Sequence, residues 1–412
     1  MVNERVLTVG VFGSYGGRNL GDEAILTSLL ADLRRRRPDA RIVVLSRNPE
    51  YTRGAFPEVQ TEGWQGVNRE RMAQVLRQLD LLVLGGGGIL YDTEARRYLR
   101  LVAAAQGRGV PVFGYALGAG PLTEELDCAM TRDVIGRCIE VTVRDEESRL
   151  ALEEVGVGCP VTVTADPALL LEPEEFTGDP VQGEAIPDSG RRLVGMSLRE
   201  PGRAAQHLDV DAYHQLLAHV GDFLVHRLDA HVLFVPMERQ DISHAHAVLS
   251  YMTTVDQCRV LHGTYRPQQI LGLMRRIDLA VGMRLHFLIF AAMSGVPVLP
   301  LPYAGKVFDF AQQIGAPALN GVVREACGPL MAEVDRLWDE RPLRANATAA
   351  RVAMLRERAA ETGQRLCKHL DRIMPAPLPR GDDFSEDGVS TLSAGRARPR
   401  VGAYPMAEEL GR

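Results

Sequence analysis

The chain is poor in cysteine: Cys128, Cys138, Cys159, Cys258, Cys327 and Cys367 are the six in 412 residues, and none stands in CxxC spacing. That excludes a zinc knuckle and a disulfide framework, and reduced thiols in a cytosolic compartment are the simpler expectation. There is no uninterrupted apolar run long enough to span a bilayer. Residues 1–10 carry Glu4 and Arg5 and pass straight into a strand pattern, without the apolar core and cleavage site of a signal peptide. The expectation is a cytoplasmic protein that meets any membrane-associated substrate at the inner surface. A basic excess is also missing, since 47 basic residues face 53 acidic ones for a net charge of −6, so nothing points to nucleic acid. No GK[ST] follows a glycine run, which excludes a P-loop.

What is present is an ordinary globular composition, 46% hydrophobic and 24% charged, at a length that predicts two domains. Strand and helix patterns alternate from the start. Strands are expected at 6–12, 41–45, 81–84, 110–115, 139–143 and 161–163, with helices at 23–36, 69–79, 93–106 and 122–137 between them. Residues 81–84 are apolar on both faces, as in a parallel sheet covered on both sides. A stretch rich in Pro, Gly and acidic residues (173–191) reads as a linker. The pattern then restarts, with strands at 193–197, 231–235, 259–262, 279–281 and 296–299 and helices at 211–228, 242–252, 267–275 and 285–293. The fold class expected is α/β, two doubly wound Rossmann-like domains at 1–172 and 192–327 facing across a cleft, a GT-B-like arrangement. Helices at 328–373, broken near Pro342, and a disordered tail at 374–412 complete the expected organisation.

Three motifs carry candidate chemistry. Residues 13–23 (GSYGGRNLGDE) join the first strand to the first helix. Glycines such as Gly16 let backbone N–H groups approach an anion at the helix N-terminus, while Asp22 reads as the helix cap. A tight turn explains the same residues equally well. The second motif is the run from Gly85 to Gly88 after the buried strand. Four glycines in a row, Gly86 and Gly87 among them, imply that a ligand or a neighbouring helix approaches the backbone closely. Asp92 beyond them is a candidate base or sugar-hydroxyl ligand, or a cap for the helix expected from 93. The third is Gly282-Met283-Arg284-Leu285-His286, where a guanidinium and an imidazole share the start of a helix. Arg284 suits phosphate or carboxylate through paired hydrogen bonds, and His286 can move protons near neutral pH. Arg199, Arg144 and Lys306 follow other strand ends, and their shared placement favours an anionic ligand over three unrelated surface charges. His244 and His246 are two apart, face different sides of a helix and make a poor metal pair, so no metal is expected.

The sequence resembles the polysaccharide pyruvyl transferase family. The resemblance rests on Asn19-Leu20-Gly21-Asp22-Glu23, Leu84-Gly85-Gly86-Gly87-Gly88 with Asp92, and Val143-Arg144-Asp145-Glu146-Glu147-Ser148. It continues through Thr164-Ala165-Asp166-Pro167-Ala168, Ser197-Leu198-Arg199 and the Gly282–His286 motif with Lys306, in order over residues 6–315. The resemblance implies phosphoenolpyruvate as donor substrate, no cofactor, and a saccharide acceptor whose pyruvate ketal serves cell-surface polysaccharide or cell-wall biosynthesis. Whether that acceptor is lipid-linked is left open. It implies donor binding by Arg284, Arg199 and Lys306 on the second domain, with Leu285 alongside and the acceptor on the first. Arg144 would bind either substrate, His286 is the implied acid, and Asp92 the candidate base. A nucleotide-sugar glycosyltransferase of the same fold is the nearest rival. An NADP-dependent oxidoreductase using Arg47, and a non-catalytic regulator, are more distant.

Overall fold

The computed structural model describes residues 5–177, 184, 190–200, 209–301, 305–317 and 327–375. The expected linker falls largely outside these residues, and the expected tail lies outside them from 376 onward.

Two all-parallel sheets carry the fold. The first takes β1 (Thr8–Phe12), β2 (Arg41–Ser46), β3 (Gln60–Gly63), β4 (Leu81–Leu84), β5 (Gly87–Leu90), β6 (Val112–Ala119), β7 (Glu140–Val143) and β8 (Val161–Val163). Their order is β3-β2-β1-β4-β6-β7-β8, with β5 extending the sheet against β6. The second sheet holds β9 (Arg192–Ser197), β10 (Ala230–Phe234), β11 (Cys258–Val260), β12 (Leu279–Gly282) and β13 (Val298–Pro300), in the order β11-β10-β9-β12-β13. Both orders reverse direction once, between β1 and β4 and between β9 and β12. At such a reversal adjacent loops diverge and leave a crevice beyond the carboxyl ends of the strands. The sequence motifs at 13–19, 85–88, 198–199 and 282–286 all sit at these two crevices.

Helices cover both sheets, as the doubly apolar β1 and β4 require. α1 (Leu20–Arg36), α2 (Pro49–Ala55), α3 (Arg69–Arg77), α4 (Ala95–Gln106), α5 (Glu125–Gly136) and α6 (Glu146–Val155) belong to the first half. α7 (Val210–Leu228), α8 (Asp241–Tyr251), α9 (Pro267–Leu273), α10 (Leu285–Met293) and α11 (Gly305–Ile314) belong to the second. A hydrophobic cluster runs through both, joining Ile25 and Leu29 of α1 to Ile270 of α9 and Phe290 of α10. Two further helices follow, α12 (Cys327–Asp339) and α13 (Arg341–Ile373). The break expected near Pro342 is present, between Asp339 and Arg341, and Pro342 lies in the first turn of α13, where its missing N–H has no intrahelical partner to lose. α13 returns to the first sheet. Glu140 of β7 accepts from Arg365 and His369 at 2.8 Å each, and Thr362 and Thr164 pair through their hydroxyls at 2.8 Å. Arg37, only 1% exposed, bonds Asp39 and reaches Asp371 at 3.1 Å. Among the described residues no helix is long and apolar enough to cross a membrane.

The α1 start differs from expectation. Asn19, not Asp22, is the cap: its side-chain oxygen accepts from the N–H of Gly21 at 3.0 Å and of Asp22 at 3.4 Å. Asp22 is thereby freed to face the crevice. Behind it Glu23, 3% exposed, anchors the 13–19 loop by accepting from the N–H of Gly16 at 2.9 Å and of Arg18 at 3.2 Å. Burial first, and then the charge of Asp22, push the Glu23 carboxyl up to about 7, although the backbone N–H groups favour its ionised form. The unfolded chain releases this proton near pH 4.5, and the folded protein holds it until about 7. Stability from this group is therefore complete at low pH and is lost as pH rises through that window. Glu23→Gln is expected to abolish this slope. Urea midpoints at pH 5 and pH 8 check it, the parent losing about 3 kcal/mol more than the variant on that change.

Candidate active site

The two crevices open onto one cavity of about 380 Å³. From the first half come Ser14, Asn19 and Asp22 of the β1 loop and helix start, Gly88 and Tyr91 beyond β4, and Arg144 beyond β7. From the second come Arg199 beyond β9, Glu238 beyond β10, Arg284, Leu285 and His286 beyond β12, and Lys306 at the start of α11. Arg47 and Arg97 complete a set of six cationic side chains, against the three carboxylates of Asp22, Glu94 and Glu238. A lining in which cations outnumber carboxylates, at helix N-termini, suits an anion.

Its cations are not equivalent. Arg284 is 7% exposed and forms the N-cap of α10 without a side-chain capping bond. Its Nε donates to Asp241 at 2.9 Å, and its Nη2 meets both Asp241 and Glu238, which leaves Nη1 for a ligand. Burial works against the charge, but these carboxylates outweigh it and raise the guanidinium further above its ordinary value. Arg144, 5% exposed, is held in the same way, with Nε 3.2 Å from Asp145 and Nη1 3.2 Å from Asp166. Its Nη2 lies against Gly118, where any side chain would crowd it. Arg199 and Lys306 are only partly buried and line the cavity from beyond the central β9 and from the start of α11 after the edge strand β13.

His286 is fixed from both sides. Its Nε2 lies 3.5 Å from a carboxylate oxygen of Asp166, longer than a good hydrogen bond but close enough to set the ring's orientation. Nδ1 rests on the backbone of Gly21, where an added Cβ would overlap the ring, so only glycine admits the imidazole there. Burial pushes Asp166 up, yet the His286 and Arg144 charges outweigh it and hold the carboxyl well below the usual range. Asp22 shows the opposite balance. Burial raises its carboxyl above the ordinary value, while His286, the Ser14 hydroxyl and Lys306 pull it partly back. An imidazole and a proton-accepting carboxylate therefore face the same space.

Arg144, Arg199, Arg284, Leu285, His286 and Lys306 are brought together as the sequence predicts. Four other candidates are not. Asp92 lines a neighbouring cavity of about 700 Å³, and its carboxylate is already committed to the N–H groups of Thr123 and Glu124 and to the Thr123 hydroxyl. Burial raises it, but these bonds outweigh burial and hold it below the usual carboxylate range, which suits an anchor for the start of α5 and not a base. Nor does it cap α4, the alternative the sequence offers. Gly16, Gly86 and Gly87 do not line the cavity. Gly16 packs on Ser46 and Asn48, Gly86 on the carbonyls of Tyr115 and Ala116, and Gly87 (φ +102°) beside Asp22, so their smallness serves packing. The glycines that reach the cavity are Gly17 and Gly88. Sequence reasoning gave no role to Asp166, Asp241 and Glu238. Asp166 had a usable signal in its position after β8, whereas Asp241 meets Arg284 only through tertiary structure. Among the described residues no group of three potential metal ligands converges.

Known proteins share this architecture. Among solved structures, S. aureus MnaA with UDP superposes with a TM-score of 0.62 at 12% identity, covering 92% of this chain and 100% of that one. Anabaena HepE with UDP gives 0.60 at 13%, covering 89% and 100%. The Neisseria meningitidis UDP-GlcNAc 2-epimerase bound to UDP-GlcNAc gives 0.60 at 12%, covering 88% and 99%. At such identities the likeness is one of fold, two doubly wound sheets in the GT-B manner. No curated protein matches the chain. The polysaccharide pyruvyl transferase family matches it from residue 19 to residue 305, a span that holds every cation of the cavity except Lys306, one residue beyond. By that match the chain belongs to the polysaccharide pyruvyl transferase family.

Proposed function

We propose that the protein transfers the pyruvyl group of phosphoenolpyruvate onto two hydroxyls of one saccharide, forming a pyruvate ketal and releasing phosphate. The observation that carries this is the meeting of Arg199, Arg284 and Lys306 with His286 in one cavity whose cations outnumber its carboxylates. A small donor with a phosphate and a carboxylate needs several such groups, and guanidinium edges suit both. No cofactor is required, since the donor already holds the reactive enol.

His286 protonates the methylene carbon as a sugar hydroxyl oxygen bonds to the adjacent carbon, with Asp22 taking the hydroxyl proton. The carbon–oxygen bond to phosphate then breaks, the departing phosphate taking the proton held by Asp22; a second hydroxyl of the same sugar bonds in its place, and its proton returns to the imidazole. Arg199 and Lys306 stabilise the departing phosphate. Asp22 replaces Asp92 as base because it faces the imidazole and its carboxyl is not committed to backbone N–H groups. The saccharide then lies over Ser14 and Asn19, which line this cavity. A second reading follows from the superposed structures, which hold UDP or UDP-GlcNAc: a glycosyltransferase using a nucleotide sugar. The test is to supply phosphoenolpyruvate or a nucleotide sugar with a panel of saccharide glycosides. Inorganic phosphate and a ketal mass increment support the first reading, and nucleoside diphosphate release supports the second.

His286→Ala is expected to lower kcat by about 10²–10⁴ with phosphoenolpyruvate affinity within a few-fold of the parent. Gly21→Ala, which forces a methyl group against the ring, is expected to reproduce most of that loss although it removes no functional group. Because burial raises the Asp22 carboxyl, kcat should climb as pH rises through its ionisation. Asp22→Asn should remove that acidic limb as well as most of the rate, as a pH–rate profile of parent and variant will record. Asp92→Asn should lower the melting temperature and leave kcat within a few-fold, and a catalytic loss as large as that of Asp22→Asn would restore Asp92 as the base.

A further inference from the structure

The donor cavity is flanked by two larger ones. It shares Tyr91, Arg144, Arg199 and Lys306 with the 700 Å³ cavity, and Met237 and Glu238 with another of about 730 Å³ on its opposite side. The last two share no residue, so the donor cavity lies between them. The 730 Å³ cavity is not used by the reaction described above. Arg18, from the loop after β1, and Tyr51, in the first turn of α2, face Arg239, His246, His262 and Tyr265 beyond β10 and β11.

This space is built for an anion with an attached ring. Arg18 and Arg239 are exposed and form no ion pair with the described residues. Arg18 adopts a left-handed backbone (φ +60°), costly for a residue with a side chain, and its guanidinium lies 5.1 Å from the centre of the Tyr51 ring. His246 and His262 meet through their Nε2 atoms at 2.9 Å. The nearest carboxylates are already engaged. Glu238 holds Arg284 and Gln240, and Glu184 accepts from the N–H groups of His262 and Gly263.

The other flank is of opposite character. Its wall carries Asp92, Glu94, Glu124, Asp145 and Glu147, and its cations are those shared with the donor cavity. A saccharide longer than one ring must leave the donor cavity on one side or the other. If it bears a phosphate, carboxylates repel it on one flank and unpaired guanidiniums attract it on the other.

We propose that the 730 Å³ cavity binds the phosphate or diphosphate ester at the anomeric end of the acceptor, the saccharide reaching past Met237 and Glu238 to the donor. This rests on the pyruvyl-transfer reading for the identity of the acceptor, but the anion site itself is testable without turnover. The probe is inorganic pyrophosphate, titrated calorimetrically into protein saturated with phosphoenolpyruvate. Arg18→Gly, which suits the left-handed backbone, combined with Arg239→Ala is expected to weaken pyrophosphate at least ten-fold and to leave phosphoenolpyruvate affinity within two-fold. Arg199→Ala is expected to do the reverse. Unchanged pyrophosphate affinity in the double variant, with its melting temperature retained, overturns the proposal, as does absence of pyrophosphate binding to the parent. Turnover then separates sources: one sugar is offered as its nitrophenyl glycoside, 1-phosphate, nucleoside diphosphate and prenyl diphosphate. The double variant should raise KM only for the phosphorylated forms, and the form most affected identifies the source. An equal rise for the neutral glycoside overturns the proposal. If pyrophosphate binds as expected but no acceptor yields a ketal, the anion site stands and the pyruvyl-transfer reading falls.

Discussion

Two buried guanidiniums, Arg144 and Arg284, can exist only because each is clamped between two carboxylates. A lone cation so deeply buried would cost several kcal/mol in lost hydration. Asp145 and Asp166 compensate Arg144, and Asp241 and Glu238 compensate Arg284. The compensation also aims the cations. With Nε and one Nη spent on carboxylates, a guanidinium cannot rotate, and the unspent nitrogen is presented at a fixed point. The same clamps hold neighbouring groups in place, since Asp166 also faces His286 and Glu238 accepts from Asn19 at 3.3 Å.

For the donor proposed above, that arrangement divides the work of binding. Arg284 and Arg144 arrive nearly neutralised, so they contribute direction more than attraction. Net attraction comes more from the less buried Arg47, Arg199 and Lys306, whose charges are screened more by salt. A cavity of this kind selects first by charge and then by the geometry of two fixed hydrogen-bond edges. The carboxyls separate in the same way. Asp166, beside Arg144 and His286, is held ionised, whereas Asp22, a few residues into α1, is raised by burial. Two carboxylates around one imidazole, pushed in opposite directions, is the pattern that separates an orienting group from a proton-transferring one.

Much of this is legible in the sequence, and the reasons are local. The alternation of apolar strands with amphipathic helices is written into each segment, and 81–84 and 285–293 were found with the bounds expected. Residues at strand ends could be assigned to the cleft because doubly wound topology puts all such ends on one side. α6 and α11 escaped although each has a helical apolar face, but the rest of what escaped had no local signal. β3 is the polar run QTEG on a sheet edge, β5 is hidden inside the glycine run, and α2 has seven residues. Asp92 and Asp22 were exchanged in role because capping is decided at distances of a few ångströms: Asn19 takes the cap of α1, and the start of α5 takes Asp92. The Asp241–Arg284 pair spans 43 residues and two loops, and no spacing rule could have joined them.

The cleft is also a device for bringing halves into register. His286 belongs to the second half, but the groups that fix its ring, Asp166 and Gly21, belong to the first. Nearby, the N–H of Leu20 donates to the carbonyl of Met237 at 2.8 Å, again across the division. Neither half alone therefore holds an oriented imidazole, and a few ångströms of separation would leave it without both its carboxylate and its backing. The apolar contact of α1 with α9 and α10 lies directly behind these residues, and α13 ties the far end back to β7. Hydrophobic burial supplies the closure, and polar contacts at its edge set the alignment, which is why the cavity forms at the seam, where the strand-end loops of both sheets meet.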